Sequence, residues 1–305
     1  MKIRNKKNIL RYGENPNQKA YILEKNKKSI FDYQISGKKL SYNNIIDADS
    51  GLKCLSEFDE PTSIIVKHTN PCGVASSNNI SVAFKKSLSS DTKSAFGGIV
   101  FLNRKVNSDL AKILIKNFFE MIVASDFNKD ALEILKKKKN LIILKKPITK
   151  RRIVDMKSTI FGDLYQTVDL NPINKNFLRL VSNKKASTKV LNDLVFSLKV
   201  AKHLKSNAIV LSKNKQTIGL GLGQTNRVDS LRFAIRNKNT YFKKSSFVCV
   251  SDGFFPFTDS INLLNKNGCN FIAQPFGSIN DDKIIVYAKK NNISLYFIKN
   301  RLFKH

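Results

Sequence analysis

The pair Lys67-His68 is the part of the sequence best suited to chemistry. A histidine imidazole titrates near neutral pH and can take a proton, while a neighbouring lysine can stabilise developing negative charge. The apolar run 63–66 before the pair predicts a buried strand, and Asn70-Pro71 and Gly73 after it predict a tight turn. The pair should therefore lie at a strand end, where open α/β sheets bind ligands. A surface lysine beside a structurally satisfied histidine is the plainer alternative, which these two residues leave open.

The sequence gives less support to a cysteine nucleophile or a metal site than to the Lys67-His68 pair. Cys72 could act as a nucleophile beside His68, but nothing else in the sequence favours it. The four cysteines form no CxxC motif, which is typical of reduced thiols. The three histidines form no HxxxH motif, and no HxE precedes a PCxxC. The sequence therefore predicts no zinc site.

Two other stretches could contact a ligand. The glycine string 219–223 has the spacing GxGxG rather than the dinucleotide fingerprint GxGxxG, and no GK[ST] follows it. We interpret it as a strand that another backbone or a ligand approaches, followed near Arg227 by a helix start suited to an anion. The stretch 251–260 groups three phenylalanines around Pro256. It predicts either a hydrophobic plug or an aromatic wall for a flat heterocycle, with Asp259 free to bond ring nitrogens.

The composition describes a basic, globular chain. Its 305 residues are 42% hydrophobic, so a sizeable core can form. The net charge is +31, but the basic residues are spread along the chain, with the densest clusters at 136–139 and 243–244. We therefore do not favour specific nucleic-acid binding, and expect instead that anionic, phosphorylated substrates are attracted. No apolar stretch is long enough for a membrane span, and no apolar signal core follows the charged residues 1–7, which predicts a cytoplasmic protein.

Strands alternate with helices along most of the chain, which predicts an α/β fold. The predicted helices cover 45–55 (capped by Asn43 or Asn44), 81–90, 110–119, 131–138, 191–204 and 284–289, and one begins at 224–227. The predicted strands cover 63–66, the segment after Gly97-Gly98, 121–124, 141–144, 208–211, 216–223, 271–273 and 293–298. Residues 145–174, which include Lys150-Arg151-Arg152, predict a polar linker. We therefore predict two domains, 1–170 and 171–305.

Seven ordered segments carry a resemblance to a known family. They are RYGENPNQ (11–18), VKHTNPCG (66–73), SAFGG (94–98), IGLGLGQTNRVDS (218–230), SDGFFPF (251–257), QPFGSI (274–279) and RLFKH (301–305). In these segments the chain resembles AICAR transformylase, the formyltransferase part of a bifunctional purine-biosynthesis enzyme, over essentially its whole length. No counterpart of the cyclohydrolase domain is seen, so we expect a stand-alone enzyme or a product of gene reduction.

The resemblance implies a reaction and an architecture. The reaction is formyl transfer from 10-formyltetrahydrofolate to the 5-amino group of AICAR, giving FAICAR and tetrahydrofolate in IMP biosynthesis. The implied fold is two cytidine-deaminase-like α/β/α subdomains without zinc. The implied partners are AICAR, folate and a second copy of the chain that shares its active sites. The sequence leaves open whether a separate IMP cyclohydrolase is a further partner.

The resemblance also assigns roles to individual residues. His68 matches the proton acceptor, Lys67 the group that stabilises the oxyanion, and Asn207 the residue that orients His68 and the carboxamide. The residues matched to AICAR contacts are Arg11, Tyr12, Asn44, Gly97, Glu120, Lys139, Arg227, Phe254, Arg301 and His305. Those matched to folate contacts are Val228, Asp259, Ser278 and Ile279. A structural potassium ion is implied near Ser206 and Asp252.

Three positions depart from the family pattern, and other functions stay open. Asn17 replaces a common His and Thr258 a frequent Arg, and we interpret both as peripheral. Phe276 replaces a usual Gly beside the expected folate loop, which predicts a changed folate affinity. The main alternative is a basic protein that binds RNA or phosphorylated metabolites on the same scaffold without turnover. A transferase acting on a related aminoimidazole nucleotide is another, and free formate could replace folate as the donor.

Overall fold

The computed structural model describes residues 6–24, 29–148, 154–243 and 246–305. Residues 1–5, the basic cluster 150–152 and Lys244 therefore lie outside the described residues. The first strands are β1 (Lys6–Ile9), β2 (Tyr21–Glu24), β3 (Gln34–Ser36), β4 (Thr62–Lys67), β5 (Asn70–Ser76), β6 (Ile99–Leu102), β7 (Met121–Ala124) and β8 (Ile142–Lys145). The helices among them are α1 (Tyr42–Leu55), α2 (Ile80–Ser90), α3 (Thr92–Ala95), α4 (Ser108–Leu114) and α5 (Lys129–Lys136).

The remaining elements complete the chain. The strands are β9 (Val154–Thr159), β10 (Gly162–Thr167), β11 (Arg179–Leu180), β12 (Ile209–Lys213), β13 (Gln216–Gly221), β14 (Phe247–Ser251), β15 (Cys269–Pro275) and β16 (Ser294–Ile298). The helices are α6 (Thr188–Ala201), α7 (Arg227–Tyr241), α8 (Thr258–Lys266) and α9 (Asp281–Lys290). The α/β prediction is confirmed.

A twelve-stranded mixed sheet organises the molecule, in the order β11-β16-β15-β14-β12-β13-β5-β4-β6-β7-β8-β3. We call β3–β8 with α1–α5 the first half, and β11–β16 with α6–α9 the second half. In the first half β4 is antiparallel to β5 and β6, and β6, β7 and β8 are parallel. The second half repeats this topology with β12, β13 and β14–β16. The halves join where Gln216 of β13 pairs with Ala75 of β5. The predicted boundary at residue 170 stays a prediction.

The core has one shared layer and two separate ones. On one face of the sheet, α1 and α6 bury a single cluster that includes Ala48, Leu55, Leu194 and Val200. On the other face the first half has its own cluster and so does the second. This alternation follows from the period of two along strands: Ile64 and Val66 face the shared layer, whereas Ile65 faces the first half's own cluster.

The turn after β4 differs from the prediction. The turn consists of His68 and Thr69, with φ angles of 50° and 63°, and the residues that follow form β5. Pro71 fits in this strand because it pairs with Val66 beside a shift in register, where a missing N–H is tolerated. The second half repeats this turn between β12 and β13 at Asn214 and Lys215, with φ angles of 50° and 52°.

The predicted linker is also corrected. Within it, β9 and β10 form an antiparallel hairpin that is exposed along its length. The hairpin sequence is mostly polar and has no apolar run or regular alternation, so the sequence did not predict these two strands. Helix α8 and strand β14 were not predicted either, and α4 ends at Leu114 rather than at residue 119.

Two features of the described residues concern membranes and metals. Among the described residues, no helix has the length and apolar character that crossing a membrane requires. Within the same residues, no group of three or more His, Cys, Asp or Glu side chains could hold a metal ion. The expected absence of zinc stays a prediction.

Candidate functional site

The β4–β5 hairpin places Lys67 and His68 at one edge of the sheet. Strand β4 is buried up to Val66, whereas His68 is exposed in the turn. Because β4 is antiparallel to its neighbour, this edge holds the carboxyl end of β4 but the amino ends of β6–β8. The rule for parallel sheets places ligands at the carboxyl ends of parallel strands, whereas Lys67 and His68 lie beside the amino ends of β6–β8, so the rule does not account for this position.

Two side chains of helix α1 form hydrogen bonds with the His68–Thr69 turn. The backbone N–H of Thr69 donates to Asp47 Oδ1 at 2.5 Å, and Ser50 Oγ donates to the carbonyl oxygen of Thr69. Burial raises the pKa of Asp47, while the Thr69 N–H and the charges of His68 and Lys67 act in the opposite direction. Neither Asp47 nor Ser50 was among the predicted site residues.

Lys67 lies against the glycine pair that precedes β6. Its Nζ donates to the carbonyl oxygen of Phe96. Gly97 has a φ of 69°, and a Cβ there would lie 3.3 Å from Lys67 Nζ, so a side chain at this position would crowd the lysine. The backbone N–H of Glu120 donates to the carbonyl oxygen of Gly98 at 3.0 Å, which continues the row toward β7.

Glu120 is the centre of a polar cluster in the first half. Lys38 Nζ lies 2.7 Å from its Oε1, Asn44 Nδ2 donates to the same oxygen at 3.4 Å, and Arg11 Nη2 lies 3.8 Å from it. Arg11 also donates to the Tyr12 hydroxyl at 2.9 Å. Among the described residues, Arg11 Nε is buried without a hydrogen-bond partner, so a donor is available to a ligand. The sequence did not single out Lys38.

The cap of α1 belongs to this cluster. Ser41, rather than Asn43 or Asn44, is the N-cap residue, and its side chain accepts from the N–H of Asn44. Asn44 Oδ1 in turn accepts from the N–H of Ser41 at 3.0 Å, which completes a capping box. The cap therefore fixes Asn44 with its Nδ2 toward Glu120.

Asn207 and Arg227 form a network in the second half. Asn207 Nδ2 donates to the carbonyl oxygens of Gln224 (2.8 Å) and Thr225 (3.1 Å), and its Oδ1 accepts from Arg227 Nη2 at 2.7 Å. Arg227 also pairs with Asp252, which is fully buried. All three hydrogen bonds of the Asn207 side-chain amide go to residues of the second half, so the role of Asn207 toward His68 stays a prediction.

The C-terminal segment connects to this network. The N–H of Leu302 donates to the Asp252 carbonyl oxygen at 2.8 Å. The Phe303 ring lies 5.9 Å from the Arg227 guanidinium, 4.7 Å from that of Arg301 and 6.0 Å from the His305 ring. The Phe303 ring is therefore a common neighbour of Arg227, Arg301 and His305.

Two hydrogen bonds of the described residues link the networks across the halves; the longer one runs from Lys304 Nζ to Ser50 Oγ at 3.5 Å. Asn70 Oδ1, beside the His68 turn, accepts from the N–H of Lys205 at 3.0 Å. Ser206 follows Lys205 and donates through Oγ to Asp252 Oδ2 at 2.6 Å. The candidate residues of both halves therefore form a continuous row along one edge of the sheet.

The residues matched to folate follow the ends of β13, β14 and β15, either at the start of a helix or, for Ser278 and Ile279, in the loop after β15. Val228 is in the first turn of α7, and Asp259, in the first turn of α8, accepts from the N–H of Ser260 at 2.6 Å. Asn280 Nδ2 donates to the Pro256 carbonyl oxygen at 2.9 Å and so ties the loop of Ser278 to the aromatic stretch. Three further predicted residues are exposed: Phe254, Ile279 and, in the turn before β8, Lys139.

A cavity of about 330 Å³ opens beside the catalytic candidates, between the halves. Lys67 and His68 line it from the first half, and Gln224, Phe233 and Asn237 from the second. A larger, shallow hollow of about 460 Å³ on the outer side of α7 contains none of the predicted residues. Of the predicted site residues, Lys67 and His68 line the smaller cavity and the others lie outside its lining, so its role as the active site stays a prediction.

Cys72 also lines this cavity, but its chemistry is unsuited to attack. Burial, and secondarily the negative charge of Asp91, raises the pKa of the Cys72 thiol to about 12. A thiol with this pKa stays protonated at neutral pH and is a poor nucleophile. The raised pKa therefore argues against Cys72 as a nucleophile, and the proposed chemistry is left with His68 as its base.

The fold and the site define an α/β protein with a candidate small-molecule site between two topologically equivalent halves. Comparison with known proteins then gives the family. A family model described as "AICARFT/IMPCHase bienzyme" matches residues 1–237, and the chain belongs to this family. The resemblance inferred from the seven segments is thereby confirmed.

Curated relatives extend the match over almost the whole chain. The bifunctional purine biosynthesis protein PurH of Caldicellulosiruptor saccharolyticus is 45% identical over 305 aligned residues, covering 97% of this chain and 59% of that protein. PurH of Persephonella marina is 43% identical, covering 98% and 60%, and PurH of Buchnera aphidicola subsp. Baizongia pistaciae is 44% identical, covering 98% and 58%. The chain thus spans about three fifths of the length of these relatives.

Proposed function

We propose that the chain is an AICAR formyltransferase that uses 10-formyltetrahydrofolate in purine biosynthesis. Family membership supports this function, because the relatives are named bifunctional purine biosynthesis proteins. The observation that carries the proposal is the Lys67-His68 pair beside a cavity between the halves, in a family that joins a formyltransferase to a cyclohydrolase.

The proposed chemistry needs a base and a cation. The 5-amino group of AICAR is a weak nucleophile because its lone pair is delocalised into the imidazole carboxamide. As its nitrogen attacks the formyl carbon, the His68 imidazole accepts the amine proton, and Lys67 stabilises the oxyanion of the tetrahedral intermediate. When the carbon–N10 bond breaks, N10 of tetrahydrofolate takes a proton from the imidazolium. The products are FAICAR and tetrahydrofolate.

Substrate binding is proposed along the row of polar residues. Arg11, with its unpaired Nε, and Tyr12 would hold the nucleotide, and Lys139 and Arg301 would assist at its phosphate. The guanidinium groups of Arg11 and Arg301 suit this task because guanidinium binds phosphate in a bidentate manner. We assign the remaining AICAR contacts to Asn44, Gly97, Glu120, Arg227, Phe254 and His305. Folate contacts are assigned to Val228, Asp259, Ser278 and Ile279, with Phe276 tuning affinity.

The potassium ion implied by the resemblance has little support from the contacts. Asp252 Oδ1 already pairs with Arg227, and Oδ2 accepts from Ser206 Oγ. A guanidinium on this carboxylate disfavours a second cation beside it. The proposed reaction has no step that passes through such an ion.

We further propose a cytoplasmic homodimer built from two cytidine-deaminase-like subdomains per chain. The repeated strand topology of the halves supports the subdomains. The β9–β10 hairpin supports the dimer, because Ile160 and Phe161 at its tip are 93% and 94% exposed. A separate cyclohydrolase would close the ring of FAICAR, since the reaction proposed here leaves that ring open.

The experiment that tests the function measures tetrahydrofolate release from AICAR and 10-formyltetrahydrofolate. We expect turnover by the purified chain and a loss of at least about a hundredfold in His68→Ala, the size typical of removing a general base. Asn214→Ala is the matched control, because Asn214 has the same φ of 50° in the equivalent turn of the second half.

Two outcomes would contradict the proposal. Equal losses of turnover in His68→Ala and Asn214→Ala would mean that substituting either turn residue disturbs the fold, and would give the His68 imidazole no specific role. A folded chain without turnover would exclude folate-dependent transfer and direct the assay to formate with ATP. Binding of RNA that weakens steeply with salt and is unaffected by His68→Ala would then favour the alternative function.

A further inference from the structure

The two equivalent turns are each held by an aspartate at the same helix position. Asp47 is the sixth residue of α1 (Tyr42–Leu55), and Asp193 is the sixth residue of α6 (Thr188–Ala201). Both helices lie on the shared layer of the core. The topological repeat therefore extends to individual side chains.

Both aspartates make the same hydrogen bond. Asp47 Oδ1 accepts from the N–H of Thr69, the second residue of its turn, at 2.5 Å. Asp193 Oδ1 accepts from the N–H of Lys215, the second residue of the other turn, at 2.7 Å, and its Oδ2 accepts from Asn214 at 2.9 Å. A carboxylate that accepts backbone N–H bonds is a strong, directional brace.

The first turn needs this brace more than the second. Left-handed φ angles suit Gly and Asn, and they disfavour β-branched residues such as Thr. The second turn begins with Asn214, whereas the first contains His68 and Thr69, both at positive φ. Local preference therefore opposes the conformation that presents His68 at the cavity.

We propose that Asp47 is a positioning residue for formyl transfer, which keeps the His68–Thr69 turn left-handed and so aims the His68 imidazole at the cavity that Lys67 also lines. The inference rests on the proposed function. Asp47 need not touch substrate, because its carboxylate acts through the Thr69 N–H. Ser50, which donates to the Thr69 carbonyl oxygen, assists from the next turn of the same helix.

The primary test compares Asp47→Ala with Asp193→Ala. Each variant removes the brace of one turn, so both should lower the melting temperature. We expect kcat to fall at least about tenfold in Asp47→Ala with KM for AICAR within about twofold, since misplacing a catalytic group slows chemistry rather than binding. Asp193→Ala should keep kcat within about twofold of the parent value. Equal kcat losses in both, or parental kcat in Asp47→Ala, would overturn the proposal.

A second comparison separates positioning from charge. In Asp47→Ala/Thr69→Gly, glycine adopts the left-handed conformation without steric cost and should restore most of the lost kcat. Asp47→Asn keeps an oxygen that can accept the Thr69 N–H and should stay within about threefold of the parent. Failure of both variants to recover kcat would show that the charge of Asp47, not its bond to the turn, is what the reaction needs.

Hydrogen exchange provides a readout that does not depend on turnover. Amide exchange in a peptide spanning residues 66–73 should accelerate in Asp47→Ala and stay unchanged in Asp193→Ala. Unchanged exchange at this turn in Asp47→Ala would overturn the positioning role even if the parent is active. A parent without formyl transfer would instead contradict the proposed function, whatever the exchange shows.

Discussion

At the residue scale, three thiols determine part of the response to alkaline pH. Burial raises the pKa of Cys72 and of Cys269 to about 12, and it raises the pKa of Cys249 well above the ordinary value of 9. Cys249 and Cys269 lie on the adjacent strands β14 and β15. All three thiols therefore stay protonated in the folded chain at pH values where an exposed thiol ionises.

This difference predicts a pH dependence of stability. The unfolded chain releases these protons as pH rises through 9, while the folded chain keeps those of Cys72 and Cys269 up to about pH 12 and also holds that of Cys249 well above pH 9. Stability from protonated thiols is therefore complete below pH 9 and is lost between pH 9 and 12. Urea unfolding at pH 8, 10 and 11 should give falling free energies of unfolding, with a shallower decline in Cys269→Ala. An identical decline in that variant would show that other groups are responsible.

Residue roles could be predicted only where the type of residue carries the chemistry. Lys67 and His68 stand out because a base beside a cation is informative without a structure. Asp47 and Lys38 do not, because their roles come from partners 22 and 82 positions away, Thr69 and Glu120. A carboxylate inside a helix has no sequence signal that distinguishes a brace from a solvated surface group.

At the element scale, the glycine string fixes how α7 packs on β13. A Cβ at Gly219 would overlap the carbonyl oxygen of Ala234, and one at Gly221 would overlap that of Ser230. The helix backbone thus lies directly on the strand. This confirms the interpretation of the string as a strand approached by another backbone, and it removes any need for a nucleotide cofactor there.

The contact predicts different costs for two alanine substitutions. Gly221→Ala should destabilise the chain by about 3 kcal/mol, since a helix backbone has to move. Gly223→Ala should cost about 1 kcal/mol from backbone strain alone, because φ is 69° and, apart from the two chain neighbours, no described residue has an atom within 4 Å of the added Cβ. Chemical denaturation of both variants measures the difference, and equal costs would contradict the close approach of α7.

Elements with strong periodicity or dense apolar runs could be predicted, and others could not. Strands β4, β7 and β8 are apolar because they are buried on both faces. The β9–β10 hairpin has no buried face, so its sequence carries no such pattern. The hairpin is held by backbone hydrogen bonds between β9 and β10 rather than by burial of apolar side chains.

At the scale of the whole molecule, the exposed tip of the β9–β10 hairpin is the surface that the proposed dimer would cover. Ile160→Asp/Phe161→Asp should shift the chain from dimer to monomer, because burying unpaired charges opposes association. Val286→Asp, on the exposed side of α9, is the control and should not change association. Sedimentation velocity over a range of concentrations distinguishes these results. A double variant that stays dimeric would place the interface elsewhere.

The repeat of the two halves has no signal in the residue patterns themselves, and the expectation of two similar subdomains came from the family resemblance alone. The halves share strand order and turn geometry, but the turn residues are His68-Thr69 in one and Asn214-Lys215 in the other. Different side chains can adopt the same topology, since the topology depends on the placement of apolar residues rather than on their identity. The long-range pairing of β13 with β5 completes a sheet that neither half implies alone.

The paired turns also supply an internal standard for spectroscopy. Substituting Asn214→His would put a second imidazole at the same φ of 50°, on a turn that has the same type of aspartate beneath it. In a pH titration followed by proton NMR, both imidazoles would experience the same turn geometry and a nearby aspartate. A difference between the two titration midpoints would therefore report the other surroundings of each ring, the cavity beside His68 among them, within one molecule and one sample.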